Sequence, residues 1–598
     1  MNVTNDHGSG ILRQHKIYQT IKMNNKCFFR FFRFFVPLSG IILLLNVPAH
    51  AQTPPDAGTL QREGERGRML DLPRPALPAA PTAPMKAPDK GASVTVHAFQ
   101  ITGATLVPEA ELNALLADLV GQTLTLADLE RAAQRIAEHY RARGWFARVY
   151  LPAQEIRDGV VKIAVVEGRL GGIDVESSGS RSRSRSDSEF VRRVVARPQA
   201  IGEPLRADGL ERALLLANDL PGIAARGVLE PGKTVGETRL RLKIEDTPLL
   251  AGDATLANNG IPSTGVAQLA AGLRLNSPSG RGDQLGMRTL VSRGSEMLRL
   301  HYGIPLNDDG LRLSTYVSGM RYRLGDDFAA LDASGRANVF GLGLTYPWLR
   351  AQTANLQLGG VAETRRYADD SLGAPLHRRR ADALALKAGG DRSDGLGRGG
   401  LTQAEIVLTA GRLDLGGNAA DLAADQAGPH ADGRYARLAA SLSRLQRLPA
   451  DFILSAAFSA QLAGSNLDSS EKFVLGGPSG VRAYPVNEGA GDEGWLFSLE
   501  LRRELSPGWQ AYALLDGGEV RLHRNEWPGW QGGTATPNHY RLSGAGLGLS
   551  WNRAGDFTLN FTVATPLGGN PGQTAAGHNG DGSNPRAARA WLSLGKLF

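Results

Sequence analysis

From Leu250 to Phe598 the chain alternates between apolar and polar residues at every second position. In "LRLSTYVSGMRYRL" (311–324), for example, the odd positions begin with Leu, Leu, Thr and Val, and the even positions begin with Arg, Ser, Tyr and Ser. Segments of about ten residues with this period predict β-strands with two unlike faces. These 349 residues, at about 22 for a strand and its share of loops, predict about 16 strands.

A different pattern precedes these strands and occurs twice. In residues 93–169 a strand is followed by two helical segments and two further strands. The second helix is predicted to begin at Thr125, an N-cap with Asp128 three residues on, and to stop at Gly144. Residues 170–248 repeat the β-α-α-β-β order, which predicts two α+β modules in series.

Residues 52–92 carry little strand signal. Residues 52–71 predict a short polar helix, from Gly58 to Leu70, and residues 72–92 are rich in proline and alanine. A segment of that composition is a semi-rigid, extended linker. The helix would therefore be tethered and able to occupy more than one place.

Residues 1–51 predict a secretory signal peptide. Lys26, Arg30 and Arg33 precede an apolar run from Phe34 to Val47, and an A-x-A sequence ends at residue 51. The run of roughly 14 apolar residues is shorter than the ~20 that a spanning helix needs. Met23 is a plausible alternative start. The single cysteine, Cys27, lies in this segment, so disulfide and thiolate chemistry are not expected in the mature chain.

Charge and motifs exclude several classes of function. The chain has 67 basic and 59 acidic residues, but six basic and one acidic residue lie in the first 51, which leaves 61 against 58. That balance gives no support to a nucleic-acid partner, and the short "SRSRSRSDS" tract (180–188) is interpreted as a solvated loop. No nucleophile elbow, zinc-protease motif or phosphate-binding loop is present, and the eleven histidines are scattered. The sequence therefore predicts a protein that is not an enzyme and has no cofactor and no metal site.

Alternating strands fit either a soluble sandwich or an outer-membrane barrel, in which apolar faces meet lipid and polar faces line the lumen. Three features favour the barrel: the signal peptide, long Gly-, Asp- or Asn-rich loops on alternate connections, and the ending "ARAWLSLGKLF" with Phe598 last. We therefore predict a transmembrane antiparallel β-barrel over residues 249–598. A barrel of that size leaves a water-filled interior unless something fills it.

The segment "GGPSGVRAYPVNEGAGDEG" (476–494) lies between two such strands, and "YALLDGGEV" follows downstream. These segments resemble those of the two-partner secretion (TpsB-type) transporters, the haemolysin/haemagglutinin secretion-activation family. Four segments also match that family in its order: "VVEGRLGGIDVESSG", "LERALLLANDLPGIAARGVLEPG", "AGRLDLGG" and "NLDSSEKFVLGGPSGVRAYP". In this resemblance residues 93–169 are POTRA 1 and residues 170–248 are POTRA 2. The resemblance extends over nearly all of the mature chain.

The resemblance also implies roles for individual residues. A Val-Arg-Gly-Tyr loop of the family folds into the lumen, and its arginine pairs with the aspartate of a Phe-x-Asp-x-Gly strand. The corresponding loop residues here are Val481, Arg482, Ala483, Tyr484 and Pro485, and the strand residues are Leu514, Asp516 and Gly518. Ala483 stands where the family has glycine, and Leu514 stands where it has phenylalanine. Phe598 would be the C-terminal signal for the barrel assembly machinery.

The implied function is an outer-membrane pore that exports a large adhesin- or haemolysin-like exoprotein to the cell surface or medium. Periplasmic POTRA modules would bind the partner's N-terminal secretion domain, the helix in residues 52–71 would plug the resting pore, and the barrel would contact outer-membrane lipid. The alternative is an outer-membrane protein assembly and insertion factor, which shares the barrel, the loop and the modules. Bacterial insertases usually carry more than two modules, whereas the linker and preceding helix favour secretion.

Overall fold

The computed structural model describes residues 54–66, 93–177, 185–532, 534–553 and 555–598. The predicted signal peptide (1–51), the linker (72–92) and part of the Arg-Ser tract lie outside the described residues. Within the described ranges, none of the helices combines the length and the apolar character that crossing a membrane requires.

The first described element is helix α1 (Ala57–Arg66), in the region where the sequence predicts a helix over 58–70. Its polar sequence, AGTLQREGER, has only two apolar residues that become buried, Ala57 and Leu60. The helix therefore depends on polar contacts with its surroundings, which are described with the candidate site.

The first module has a three-stranded sheet in the order β2-β5-β4, with β2 and β5 parallel. Its elements are β1 (Ser93–Thr95), β2 (Ala98–Thr102), α2 (Glu109–Ala114), β3 (Thr123–Thr125), α3 (Leu126–Ala142), β4 (Ala147–Tyr150) and β5 (Val160–Glu167). The Thr125 hydroxyl accepts the Asp128 N–H, and the Asp128 carboxylate accepts the Thr125 N–H, so α3 begins with a capping box. The predicted helix start is confirmed, and β1 and β3 form a small additional ladder.

The second module repeats this arrangement with the sheet order β6-β8-β7. Its elements are β6 (Arg169–Ser177), α4 (Ser188–Ala196), α5 (Ala207–Asn218), β7 (Ile223–Pro231) and β8 (Glu237–Asp246). Each module has its own buried apolar cluster between helices and sheet, centred on Ile136 and Tyr140 in the first and on Leu216 and Leu240 in the second. The prediction of two α+β modules in series is confirmed.

The rest of the chain forms a closed antiparallel barrel of 16 strands, as predicted. They are β9 (Leu250–Ala257), β10 (Gln268–Asn276), β11 (Gln284–Val291), β12 (Ser295–Pro305), β13 (Arg312–Arg323), β14 (Ser334–Arg350), β15 (Ala354–Ser371), β16 (Ala374–Asp394), β17 (Gly400–Asp414), β18 (Gly433–Arg447), β19 (Phe452–Ala463), β22 (Glu493–Ser506), β23 (Trp509–Arg521), β24 (His539–Asn552), β25 (Phe557–Pro566) and β26 (Arg589–Leu597). Two short strands, β20 (Phe473–Val474) and β21 (Ala490–Gly491), pair only with each other. Helix α6 (Ala419–Ala427) interrupts the all-strand pattern in the connection between β17 and β18.

The outer face of the barrel carries exposed apolar side chains at every second position. Examples are Val317 on β13, Phe340 and Leu342 on β14, and Leu384 and Leu386 on β16. Alternation along each strand sends the residues between them to the lumen. The exposed apolar side chains form a band around the outside of the barrel, as a lipid-facing surface requires.

The second module contacts the barrel end at which β9 begins, here called the module end. Arg350, at the end of β14, donates two 2.8 Å hydrogen bonds to the carboxylate of Asp219. Arg212 of α5 donates to the carbonyl of Pro347 at 2.9 Å. Bidentate arginine–carboxylate contacts fix orientation as well as distance, so the second module is held against the turns of β12–β15. The opposite end is called the far end.

Glu167, at the end of β5, ties the first module together and should make its stability depend on pH. Burial alone would raise the pKa of this carboxyl, but hydrogen bonds from the Thr105 hydroxyl, two backbone N–H groups and Tyr140 lower the pKa below its usual value. A carboxyl whose pKa is depressed by folding stabilises the fold above its unfolded pKa and loses that contribution as pH falls through its folded pKa.

We therefore expect Glu167→Gln to speed amide exchange in α3 and β5 relative to wild type at about pH 6, and this difference to shrink as the pH falls through the folded pKa of Glu167. Comparing the two proteins at the same pH removes the effect of pH on the intrinsic exchange rate of the amides. Glu130→Gln, at an exposed position of α3, should exchange like wild type at every pH. Equal exchange of wild type and Glu167→Gln at pH 6 would contradict this role.

Candidate functional site: the lumen loop and the helix inside the barrel

Between β20 and β21 the chain forms a compact loop, residues 475–489, here called the lumen loop. The antiparallel pairs Phe473–Gly491 and Val474–Ala490 close its base. Val481, Ala483 and Tyr484 are buried together with Tyr512 and Leu542 of the barrel wall. Because the loop buries apolar side chains against inward-facing wall residues, it lies folded against the inside of the barrel.

Arg482 binds the wall through a bidentate ion pair. Its Nε lies 2.8 Å from Asp516 Oδ2 and its Nη2 lies 2.7 Å from Asp516 Oδ1. The Arg482 N–H also donates to the same carboxylate, at 3.1 Å. Arg482 is 8% exposed and Asp516 is 1% exposed. The structure thus brings together the two residues that the sequence resemblance paired.

Three further contacts of Arg482 are absent from the sequence prediction. Its Nη1 donates to Glu500, its Nη2 donates to Ser498 Oγ at 2.9 Å, and its carbonyl accepts from Trp591 Nε1 at 2.8 Å. Ser498 and Glu500 stand at alternate positions of "WLFSLELRRE", so periodicity places them on the lumen face of β22. No feature of the sequence indicates which loop cation they meet.

The two departures from the family pattern are accommodated by the wall. Ala483 lies against Gly544, where an added Cβ would stand 2.6 Å from the Ala483 methyl. Leu514 is buried in the same apolar cluster as Val481. Gly518 has a steric role, because a Cβ there would approach Leu475 of the loop to 2.4 Å. The wall is therefore shaped to hold the loop closely.

Helix α1 lies inside the barrel, and an aspartate at its N-terminus anchors it. Asp56 accepts from Arg379 Nη2 at 2.7 Å and from Ser469 Oγ at 2.8 Å. The Ala57 N–H donates to Asp369 at 2.9 Å. Arg379 also bonds Asp369 (3.0 Å) and Asp468 (2.7 Å), so one buried guanidinium holds the helix, the wall and the segment that precedes the lumen loop.

Arg62 connects the same helix to the two limbs of the lumen loop, which are the entering limb (residues 469–474, just before the loop) and the returning limb (residues 485–489). Its guanidinium donates to the carbonyl of Ser469 and, at 3.4 Å, to that of Lys472 on the entering limb. It also donates to Asn487 Oδ1 at 3.3 Å on the returning limb. Glu65 accepts from Arg299 of β12 at 3.0 Å. Helix and loop thus form one polar assembly in the lumen.

A second buried network fixes the entering limb to strands far away in sequence. Glu471 is 2% exposed and binds Arg365 of β15 and Arg437 of β18. The Tyr435 hydroxyl donates to the same carboxylate at 2.8 Å. Glu471 is not among the site residues that the sequence predicts. Its place within the quoted segment "NLDSSEKFVLGGPSGVRAYP" is the signal that could have identified it.

Phe598 ends the chain at the closing seam of the barrel. Its N–H donates to the Gly252 carbonyl at 3.0 Å, and the Gly252 N–H donates to the Phe598 carbonyl at 2.8 Å. The last residue therefore pairs with the first barrel strand at the module end. Its role as an assembly signal remains a prediction.

The arrangement is chemically suited to opening and closing a passage. Among the described residues there is no cluster of three or more His, Cys, Asp or Glu side chains that could hold a metal ion. The enclosed charged groups instead bind one another across elements that belong to different parts of the chain. When a helix or a loop moves, several of these contacts can break together and be replaced by other polar partners.

Two family models match the chain. The model described as "Haemolysin secretion/activation protein ShlB/FhaC/HecB" matches residues 236–551, which cover the last strand of the second module and most of the barrel. The model described as "POTRA domain, ShlB-type" matches residues 94–168, the first module.

Similar proteins extend over nearly the whole chain. The heme/hemopexin transporter protein HuxB of Haemophilus influenzae (strain 86-028NP) is 29% identical over 574 residues, covering 94% of this chain and 97% of that protein. The outer membrane transporter CdiB of Escherichia coli is 27% identical over 568 residues, covering 88% of this chain and 89% of that protein. The solved structure of CdiB from Escherichia coli, with 22% sequence identity, superposes with a TM-score of 0.68 and covers 92% of this chain and all of that one.

Proposed function

Since the chain belongs to the ShlB/FhaC/HecB family of haemolysin secretion/activation proteins, outer-membrane transporters for partner proteins, we propose that it exports one large exoprotein in a non-enzymatic process. The observation that carries this proposal is the closed barrel whose lumen holds both a helix bound by polar contacts and an anchored loop. The modules face the periplasm, so the module end is periplasmic and the far end is extracellular.

The cargo class is an adhesin- or haemolysin-like exoprotein with an N-terminal secretion domain. HuxB is named as a heme/hemopexin transporter, so a haem- or hemopexin-binding exoprotein is the first candidate to test for this chain. No nucleic-acid partner is proposed.

The first POTRA module (POTRA 1) offers an edge to which a strand of the partner can add. Strand β4 is an edge of its sheet, and the aromatic side chains of Phe146 and Tyr150 on or next to it are 39% and 40% exposed. An extended peptide that joins such an edge gains main-chain hydrogen bonds, and neighbouring side chains give it specificity. The aromatic pair would contact alternate apolar side chains of the secretion domain.

Other parts of the two sheets are shielded by their own side chains. The Asn218 side chain accepts the Ala225 N–H at 3.0 Å and donates to the Ala225 carbonyl at 2.8 Å, on edge strand β7. The Gln154 side chain bonds both backbone groups of Lys162 on β5, beyond the end of β4. Side chains that occupy backbone groups in this way block strand addition, which favours β4 over β7 as the docking edge. The open part of that edge begins at Ala147, because the Phe146 N–H already donates to the Leu205 carbonyl of the second module at 3.1 Å.

The resting pore would be closed by α1 and opened by its departure. The helix is held mainly by hydrogen bonds and ion pairs, and water can replace these when the helix leaves. Its apolar contribution to the lumen is limited to Ala57 and Leu60.

The test is to express the transporter with a candidate exoprotein encoded beside it and to measure that protein in the medium. We expect the wild type to export it and Phe146→Asp/Tyr150→Asp to export less than about a tenth as much, because edge docking depends on these side chains. Val235→Asp alters a more exposed apolar side chain, in a turn of POTRA 2, and should export normally.

Outer-membrane levels of the variants are matched before comparison. If the exoprotein stays inside while other barrel proteins fail to assemble when the gene is deleted, the assembly-factor alternative replaces the transporter. If export is intact in the double variant, transport stands but docking at β4 is wrong.

A further inference from the structure

Six arginines form three directly opposed pairs on adjacent barrel strands. They are Arg321–Arg336, Arg366–Arg380 and Arg412–Arg434. Directly opposed side chains on one face of a sheet lie about 5 Å apart at Cβ, and like charges in that position are destabilising. Three such pairs lie side by side across β13 to β18, and they carry more positive charge than the neighbouring carboxylates of the chain offset.

All six side chains lie on the outer face of the barrel. Arg336 and Arg380 each stand four residues before an exposed, lipid-facing side chain, Phe340 and Leu384 respectively. Arg321, Arg412 and Arg434 stand four residues from the exposed Val317, Leu408 and Leu438 in the same way, and Arg366 shares the face of its partner Arg380. Four residues of strand span about 13 Å, so the arginines form a belt beyond the apolar band at the extracellular end.

The belt is poorly neutralised by the protein itself. Four of its members, Arg336, Arg366, Arg412 and Arg434, make no hydrogen bond or ion pair to any described residue, whereas Arg321 pairs with Glu296 and Arg380 with Asp382. Asp414 lies on the same face opposite Arg380. Three carboxylates therefore face six guanidinium groups.

A cavity of about 400 Å³ opens in the centre of the belt. Its lining includes Arg336, Asn338, Arg366, Arg380 and Arg378, of which Arg378 is already paired with Asp370, and it also includes Asp414. Guanidinium groups bind phosphate through paired, charge-assisted hydrogen bonds, and an amide adds a neutral donor. The cavity and its donors match a phosphorylated headgroup more closely than an apolar ligand.

We propose that this belt is a binding site for the phosphate groups of the anionic glycolipid that forms the outer leaflet of the outer membrane. Its height, just beyond the apolar band at the extracellular end, is the height of those headgroups. A phosphate between Arg366 and Arg380 converts their repulsion into two attractive contacts. The site is distinct from the lumen and from the POTRA modules.

The full-length protein, purified in detergent, is titrated with bisphosphorylated lipid A and followed by native mass spectrometry. We expect Arg366→Gln/Arg380→Gln to bind about tenfold more weakly than wild type, since charge-assisted hydrogen bonds are lost. The control, Arg392→Gln/Arg503→Gln, removes two exposed charges at the periplasmic end and should bind as wild type does. Dephosphorylated lipid A should bind all three proteins equally weakly.

Binding of lipid A by the belt variant within twofold of wild type would overturn the proposal. Displacement of lipid A by an equimolar amount of inorganic phosphate would show that the site binds the free anion, and it would overturn the assignment to the glycolipid. Heat-modifiable gel mobility checks that each variant is folded. If Arg366→Gln/Arg380→Gln does not fold, Arg412→Gln/Arg434→Gln tests the same belt with the same expected loss.

Discussion

Replacing Arg482 with alanine is expected to lower export of the partner to less than about a tenth of the wild-type level. The substitution leaves Asp516 as an enclosed carboxylate without its cation and leaves Glu500 paired with Arg502 alone, and removing one partner of a buried ion pair costs about 3 to 5 kcal/mol. The loop should then detach from β23, expose its backbone and enter the passage. Export into the medium and protease cleavage within residues 475–489 on intact cells measure the two effects.

The matched control is Arg503→Ala, which removes an exposed arginine from the neighbouring strand β22. It should export normally and resist cleavage. Arg482→Lys keeps the charge but cannot form the bidentate contact, so an intermediate level is expected. Wild-type export by Arg482→Ala at equal outer-membrane levels would show that the loop anchor is not needed for transport.

Deleting residues 54–66 is expected to convert a mostly closed pore into an open one. The deletion removes α1 but leaves Arg379 with two carboxylates, Asp369 and Asp468, while Arg299 loses Glu65 and faces the opened lumen. Conductance in planar bilayers should rise about tenfold, because an aqueous channel is then left in a barrel of this strand number. Cells should also become sensitive to large antibiotics that ordinary porins exclude.

Two point variants separate the anchors of the helix. Asp56→Ala removes the contact with Arg379, and Arg62→Ala removes the contacts with both limbs of the lumen loop. Each should increase the time spent open, by less than the deletion does. Thr59→Ala, on the same helix and with no side-chain hydrogen bond to a described residue, should behave as wild type. A pore that stays closed without α1 would rule out its role as the plug.

The fold could largely be predicted because its signals are local and repeated. Two-residue periodicity indicated the strands, since every barrel strand must present one face to lipid and one to the lumen, and the length of that region gave their number. The N-cap at Thr125 could be predicted from spacing alone. Helix α6 was missed because nine residues of an alanine-rich loop carry only a weak helical period.

The site could be predicted only in part. Arg482 and Asp516 were found through motif resemblance, whereas Glu500 and Ser498 needed the register of β22. The contact between Asp56 and Arg379 joins residues 323 apart in sequence, and no local pattern encodes such a pair. Polar lumen positions can be read from periodicity, but their partners depend on barrel closure and on where the helix lies.

The width of α1 has a consequence for the exported protein. A helix with its side chains is about 10 to 12 Å across, whereas a folded domain of 100 residues has a radius of gyration of about 13 Å. The passage that α1 vacates therefore admits one extended chain or a narrow hairpin but no folded domain. The amount of exoprotein released then depends on whether its chain enters the barrel before it folds in the periplasm. Substitutions that slow folding of the exoprotein should increase the amount released per transporter.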